Sequence, residues 1–246
     1  MVETRHVLSF GGGVNSVALM IWLIQHDHPL DEVVFADTGV ELPETYAYVP
    51  LVQDYLDRHQ IKFTQIEALV RGRNLYDTCW ERRVFPSTIW RWSTRDFKVK
   101  PIHRYYRSLN GHINQYLAIA YDEFQRMKTS RVSFITNIYP LVTQRLSRED
   151  CTNLIRQAGL PLPVKSSCFF CPFSTLDRWK WLHETHPDLY KKAVALEERS
   201  KHFPSQRLTD QIFRGRNEVT LRELPQFFGS LSGDDPAEPC GGECHT

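Results

Sequence analysis

The sequence predicts an α/β fold, a Rossmann-like parallel sheet with flanking helices, and three observations predict it. Apolar runs of strand length alternate with longer stretches of helical period over residues 6–66, in the order strand, helix, strand, helix, strand. That order favours parallel strands joined by crossover helices. A run of three glycines separates the first strand from the first helix. Of the 246 residues 41% are hydrophobic, enough for a sizeable core, and the formal net charge of +1 argues against a uniformly basic polyanion-binding domain.

His6–Phe10 reads as a short buried strand that runs into Gly11–Gly13. Ser16–Gln25 follows as a helix, its apolar face drawn by Val17, Leu19, Met20, Leu23 and Ile24. Asp31–Ala36 is a second strand, ended by Asp37-Thr38-Gly39. Glu44–Gln60 is helical by the spacing of Tyr48, Leu51, Val52, Tyr55 and Leu56, and Ile61–Ile66 is a third strand. Arg71–Lys100 is rich in arginine and tryptophan and has no clean period, so a long functional loop or lid is expected. Pro101–Leu109 looks helical, Asn114–Ile119 a strand, and Asp122–Met127 a helical turn. Ser147, with Asp150 three residues on, fits the N-cap of a helix at Arg148–Ala158. Gly159–Lys165 is extended, Cys168–Cys171 forms a turn, and Asp177–His186 and Asp188–Ser200 are helices separated by Pro187. From Gly229 the composition shifts to Gly, Ser, Asp and Pro. The expected organisation is an α/β domain over 1–145, a helical region over 146–228 and a loose tail over 229–246.

Two features carry chemistry. The first is Gly11-Gly12-Gly13-Val14-Asn15-Ser16, which begins where Ser9 and Phe10 end the strand. Glycines let a backbone turn sharply and approach an anion, and the amides of a helix start then face it. Ser16 adds a hydroxyl. The loop is neither the Walker type nor Gly-x-Gly-x-x-Gly. The second feature is cysteine. Cys168-x-x-Cys171 sets two thiols on one turn, and Cys240 and Cys244 form a second pair, so a four-ligand site is arithmetically available, with Cys151 as a rival ligand. Buried small hydrophobes or a redox dithiol are the other readings of the Cys168 pair.

The glycine loop resembles the PP-loop of ATP pyrophosphatases, Ser-Gly-Gly-x-Asp-Ser, with Gly11 and Asn15 in the places of its Ser and Asp. Asp37-Thr38-Gly39 followed by Glu41, Pro43, Glu44 and Thr45 is similar to a segment of phosphoadenosine phosphosulfate (PAPS) reductases. Thr94–Pro101 resembles their basic Lys-x-x-Pro stretch, and the likeness continues through Asp122-Glu123 with Arg126, Tyr139–Leu141 and Pro163–Phe173. It covers roughly residues 6–200. The resemblance implies an adenine nucleotide alpha-hydrolase-like fold and a bound ATP or PAPS-like nucleotide. It implies either cleavage of ATP between the α and β phosphates to adenylate a substrate, or reductive release of sulfite. Ser9, Phe10, Gly11, Gly12, Gly13, Asn15, Ser16, Asp37, Thr38 and Gly39 would hold the nucleotide, Asp37 touching it or Mg²⁺. Lys98, Lys100 and Arg126 would neutralise phosphate or sulfate, as could Arg95. A 4Fe-4S cluster is implied for the cysteines, with zinc as the alternative.

The departures from that pattern keep three readings open. The Cys-Cys pair that cluster-bearing reductases carry upstream of the basic stretch is replaced near there by Trp92-Ser93, and Glu243-Cys244-His245 echoes their C-terminal nucleophile without its glycine. Cys244 is thus a candidate nucleophile or a candidate ligand. Asn15 carries no charge for a metal, which keeps a non-catalytic nucleotide- and metal-binding module in view. The basic–aromatic mix of residues 71–95 suits stacking on a nucleic-acid substrate as well as a lid. An electron- or sulfur-donor protein is the other expected partner. Residues 1–10 are too short and polar for a secretory signal, and Val17–Ile24 is far short of a membrane span, so a cytoplasmic protein without a membrane partner is expected.

Overall fold

The computed structural model describes residues 3–87, 91–200 and 219–230. Five strands form one sheet: β1 (Thr4–Phe10), β2 (Glu32–Asp37), β3 (Lys62–Glu67), β4 (His112–Tyr116) and β5 (Ile135–Ile138). Their spatial order is β3-β2-β1-β4-β5, and every pairing is parallel. The helices are α1 (Val14–Gln25), α2 (Pro43–Arg58), α3 (Leu75–Arg82), α4 (Trp92–Thr94), α5 (Lys100–Ser108), α6 (Pro140–Thr143), α7 (Arg148–Gln157), α8 (Leu176–Thr185) and α9 (Pro187–Ser200).

Alternation along the strands builds a core on each side of the sheet. Leu8, Phe10, Val33 and Phe35 pack with α1, α2 and α7. Val7, Val34, Ala36, Ile113 and Ile135 pack on the other face against Ile102 and Tyr106 of α5. A further cluster joins Leu75 and Cys79 of α3 to Phe169, Phe170, Trp179 of α8 and Leu196 of α9. The cysteine turn therefore rests against α3 and the C-terminal helices.

The expected α/β architecture is the one found, with three local differences. β5, Ile-Thr-Asn-Ile, was not foreseen; four residues at a sheet edge are too few to show a period. β4 ends at Tyr116, three residues before the expected end of the strand: the Leu117 amide still bonds Ile138, but the Ile119 amide turns back to the Leu117 carbonyl. The expected loop over 71–100 holds α3, capped by the Asn74 side chain accepting from the Asp77 amide. It also holds a continuous helical path from α4 through a π-helical turn at Arg95–Val99 into α5. Leu75, Thr78 and Cys79 mark the buried face of α3, a stripe too short to stand out among charged and aromatic neighbours. The Ser147 cap is confirmed as a full capping box with Asp150. Among the described residues no helix is long and apolar enough to cross a membrane.

The chain leaves β1 toward β2 and β3 on one side and returns to β4 and β5 on the other. The gap between the carboxyl ends of β1 and β4 is thus a topological switch point, where crossover connections diverge and leave a crevice.

Candidate active site

A cavity of about 300 Å³ opens at that switch point. Its floor is made by Ser9 and Phe10 of β1, Ala36 of β2, Gln115 of β4 with Leu117–Ile119 after that strand, and Asn137 of β5. One wall is the glycine loop, with Gly11, Gly13, Asn15 and Ser16 on the lining. Gly12 sits at φ +77°, and a Cβ there would come within 3.0 Å of the Thr45 methyl. Gly13 is the N-cap of α1 with extended backbone, so the first amides of the helix point toward the cavity. Ser16 is buried and donates its hydroxyl to the Gly13 carbonyl at 2.8 Å, holding the loop closed onto the helix.

The rest of the lining is cationic. Among the described residues Lys98, Arg126, Lys128, Arg131, Arg148 and Lys165 line the cavity, against a single carboxylate, Glu123. Several of these cations are positioned by neighbours. Lys98 lies 3.3 Å from Glu41, whose side chain is fully buried. The Arg126 guanidinium meets Glu123 at 2.6 Å. Arg148 donates to Oδ1 of the Asn15 side chain at 3.4 Å, and Nδ2 of that side chain donates to Glu123 at 3.2 Å. A polar chain, Arg148–Asn15–Glu123–Arg126, thus spans the mouth of the loop. Glu123 brings a carboxylate to the position next to Asn15, where the PP-loop itself would have supplied one. Asp122, its neighbour, caps α7 by accepting from the Arg148 amide at 3.1 Å.

Of the basic residues at 95–100, Lys98, within the π-helical turn, is the one on the lining of the cavity. Lys100 is left more than half exposed and paired with Asp96 at 2.8 Å, and Arg95 pairs with the same carboxylate at 2.9 Å. Those two cations, both on the same neighbour, hold the Asp96 carboxyl below its ordinary range, the Arg95 hydrogen bond most of all. Asp37 is committed elsewhere. Its oxygens accept from the Gly39 amide and the Tyr46 hydroxyl, both at 2.8 Å, and from Gln65 at 2.9 Å. Thr38 donates to Glu41 at 3.0 Å. Gly39, at φ +73°, turns the chain away from the sheet.

A smaller cavity of about 50 Å³ adjoins the first, sharing Thr94, Lys98 and Ser166 with it. Thr38, Arg91, Cys168 and Cys171 line it. The cysteine turn is tight, with the Cys171 amide bonded to the Cys168 carbonyl at 3.1 Å and the Phe169 amide to Val40 at 3.1 Å. Cys79 lies in the same apolar cluster. Burial first, and the nearby Cys168 second, push its thiol well above the ordinary range. Cys151 lies in a different cluster, between α1 and α7, where burial pushes it up to about 12. Cys240 and Cys244 lie outside the described residues. Among the described residues no three His, Cys, Asp or Glu side chains are arranged to hold a metal ion. A structural zinc or an iron–sulfur cluster takes four ligands, so Cys168 and Cys171 supply at most half a set.

Sequence reasoning did not single out Glu123, Lys128, Arg131, Arg148 or Lys165. The signal available was weak, since Glu123 and Lys165 stand inside motifs that carried the resemblance, but charge alone does not show which face of a loop a side chain takes.

A family model described as phosphoadenosine phosphosulfate reductase domain matches residues 5–163. The match takes in the glycine loop, Lys98, Glu123, Arg126 and Arg148, and stops short of Cys168. Among solved structures the chain is similar to phosphoadenylyl-sulfate reductase from Candida auris in its phosphate complex. That pair is 15% identical over 66% of this chain and 76% of the other, with a TM-score of 0.42. It is also similar to the U34-tRNA thiolase NcsA from Methanococcus maripaludis with its 4Fe-4S cluster, at 14% identity, over 82% of this chain and 73% of the other, with a TM-score of 0.41. No curated protein matches the chain.

Proposed function

The chain belongs to the phosphoadenosine phosphosulfate reductase domain family of nucleotide-utilising enzymes, and from that premise we propose that it cleaves ATP between the α and β phosphates and adenylates an acceptor in sulfur-related or nucleic-acid chemistry. One observation carries the reading. The cavity at the glycine loop is lined by six cations and one carboxylate, a balance suited to a polyphosphate. The loop amides and the start of α1 would cradle the phosphates. An acceptor oxygen or sulfur attacks the α phosphorus, the bond to the bridging oxygen breaks, and pyrophosphate leaves. Negative charge grows on the leaving group, and Lys98, Arg126 and Arg148, all on the cavity lining, would stabilise it. Mg²⁺ fits this donor set with Glu123 and the nucleotide's own phosphates as ligands, because that ion needs only one or two protein carboxylates. Bound there, it would neutralise phosphate charge.

A second reading has its own observation, the thiols of Cys168 and Cys171 in the adjoining cavity. In a sulfonucleotide reductase a cysteine thiolate, for which the resemblance implies Cys244, attacks the sulfur and displaces the nucleotide. A second thiol then releases sulfite and leaves a disulfide, which an electron-donor protein reduces. The test is a product assay on the full chain with ATP and Mg²⁺, and in parallel with PAPS. Pyrophosphate, lost in Glu123→Gln, is the expected product, with AMP beside it where water takes the acceptor's place. Sulfite from PAPS with no cleavage of ATP would replace the first reading with the second. Nucleotide binding without product from either would leave a nucleotide-binding module.

A further inference from the structure

Tyr121, Phe124 and Met127, exposed by 43%, 55% and 41%, fall within one seven-residue stretch. The two rings lie 6.2 Å apart, tilted by only 30°, and form a ledge. The ledge is built on fixed backbone. The Tyr139 hydroxyl bonds both the amide and the carbonyl of Lys128, at 3.0 and 2.7 Å, and Asp122 is tied to α7. Other residues of the stretch face inward, since Glu123 and Arg126 line the phosphate cavity, and Lys128 and Arg131 extend its wall outward as exposed cations. Three large apolar side chains exposed on a stretch that also supplies Glu123 and Arg126 to the cavity suit a docking surface. Among the described residues of 71–95, two tryptophans have ring and cation partners within the fold. Trp80 stacks on Tyr76 and takes the Arg199 guanidinium 4.6 Å from its ring centre, and Trp92 packs on Phe97 beneath Arg82.

We propose that this ledge binds single-stranded nucleic acid, an unpaired base stacking on Tyr121 and Phe124 while flanking phosphates meet Lys128 and Arg131. The occupant follows from the juxtaposition of exposed rings with exposed cations at an anion-binding cavity, which suits a chain of planar bases on a phosphate backbone. A duplex keeps its bases stacked inside and cannot offer a face to the ledge. Binding needs no chemistry; that the bound strand is also the acceptor rests on the ATP-cleaving reading.

The experiment is fluorescence anisotropy of the full chain with labelled single-stranded and duplex oligonucleotides across a salt series. Single strands are expected to bind more tightly than duplex. Tyr121→Ala with Phe124→Ala should weaken that binding by about tenfold or more. Lys128→Ala should flatten the logarithmic salt dependence by about 0.7. Phe124→Glu, at a half-exposed position, is the second variant and should show the same loss. Unchanged ATP binding and melting temperature in the ring variants would keep the effect at the ledge. Absence of salt-dependent strand binding by the parent chain, or variants that bind strands as the parent does, would overturn the proposal. Salt-insensitive capture through the rings would point to a protein partner and overturn it too. If strands bind and ATP does not, the ledge stands and the ATP-cleaving reading falls.

Discussion

Adjacent glycines of the loop should fail in opposite ways. At Gly12 the backbone is left-handed, φ +77°, and a Cβ would meet the buried Thr45 methyl at 3.0 Å. Left-handed backbone costs an L-residue about 1–2 kcal/mol, and the contact adds to it, so Gly12→Ala should destabilise the fold by about 2 kcal/mol. For a chain of this size that is a fall of about 4–8 °C in melting temperature. Gly13 has φ −99°, which alanine adopts without strain. Its added Cβ would meet the Ser166 hydroxyl at 2.9 Å, a group that can rotate away. Alanine is a poorer N-cap than glycine, and about 1 kcal/mol or less is expected from that. Both Gly13 and Ser166 line the cavity, however, so the methyl and the displaced hydroxyl enter the space where phosphate would lie. Gly13→Ala should therefore keep most of the stability and lose most of the nucleotide affinity, at least about tenfold. Denaturation curves and ATP titration of the two variants check both halves. A stable Gly12→Ala, or a Gly13→Ala with parental affinity, would refute the placement of the loop.

Other outcomes follow from the same geometry. Lys98→Ala leaves the buried Glu41 carboxylate without that cation and should cost about 3–5 kcal/mol. Lys100→Ala breaks only an exposed pair and should cost about 1 kcal/mol or less, so equal losses in urea unfolding would contradict the π-turn register. Native alkylation at pH 8 should modify half-buried Cys168 well before Cys79 and Cys151, whose thiols burial holds protonated; peptide mass spectrometry reads the order. Burial alone would raise the carboxyl of Glu32, but hydrogen bonds from Thr64, Tyr105 and Lys62 bring it below its ordinary range. A depressed folded-state pKa contributes stability above the unfolded pKa of about 4.3 and loses it as pH falls through the folded value. The stability gap between the parent and Glu32→Gln should be constant from pH 5 to 8 and close below about pH 4. A gap that widens on acidification would show the sign to be wrong.

The sequence by itself determined the parallel α/β plan, because period and order over residues 6–66 are local properties that each segment carries alone. It determined the glycine loop between β1 and α1 for the same reason, since Gly12 states a left-handed backbone requirement that few other residues meet. The capped start of α7 was legible too, in Ser147 and Asp150. Only the tertiary structure decided which charges meet at that loop. Glu123 and Arg148 come to Asn15 from 108 and 133 residues away, and no local pattern encodes such a distance. It also decided between Lys98 and Lys100, which look alike in the chain and stand only two residues apart, one paired with buried Glu41 on the cavity lining and the other with Asp96 at the surface. Asp37 shows the same point, a strand-end carboxylate whose oxygens the fold ties to Gly39, Tyr46 and Gln65, partners that its position in the chain does not name. A side chain's chemistry is written in its type, but its availability depends on which partners folding brings within hydrogen-bond reach.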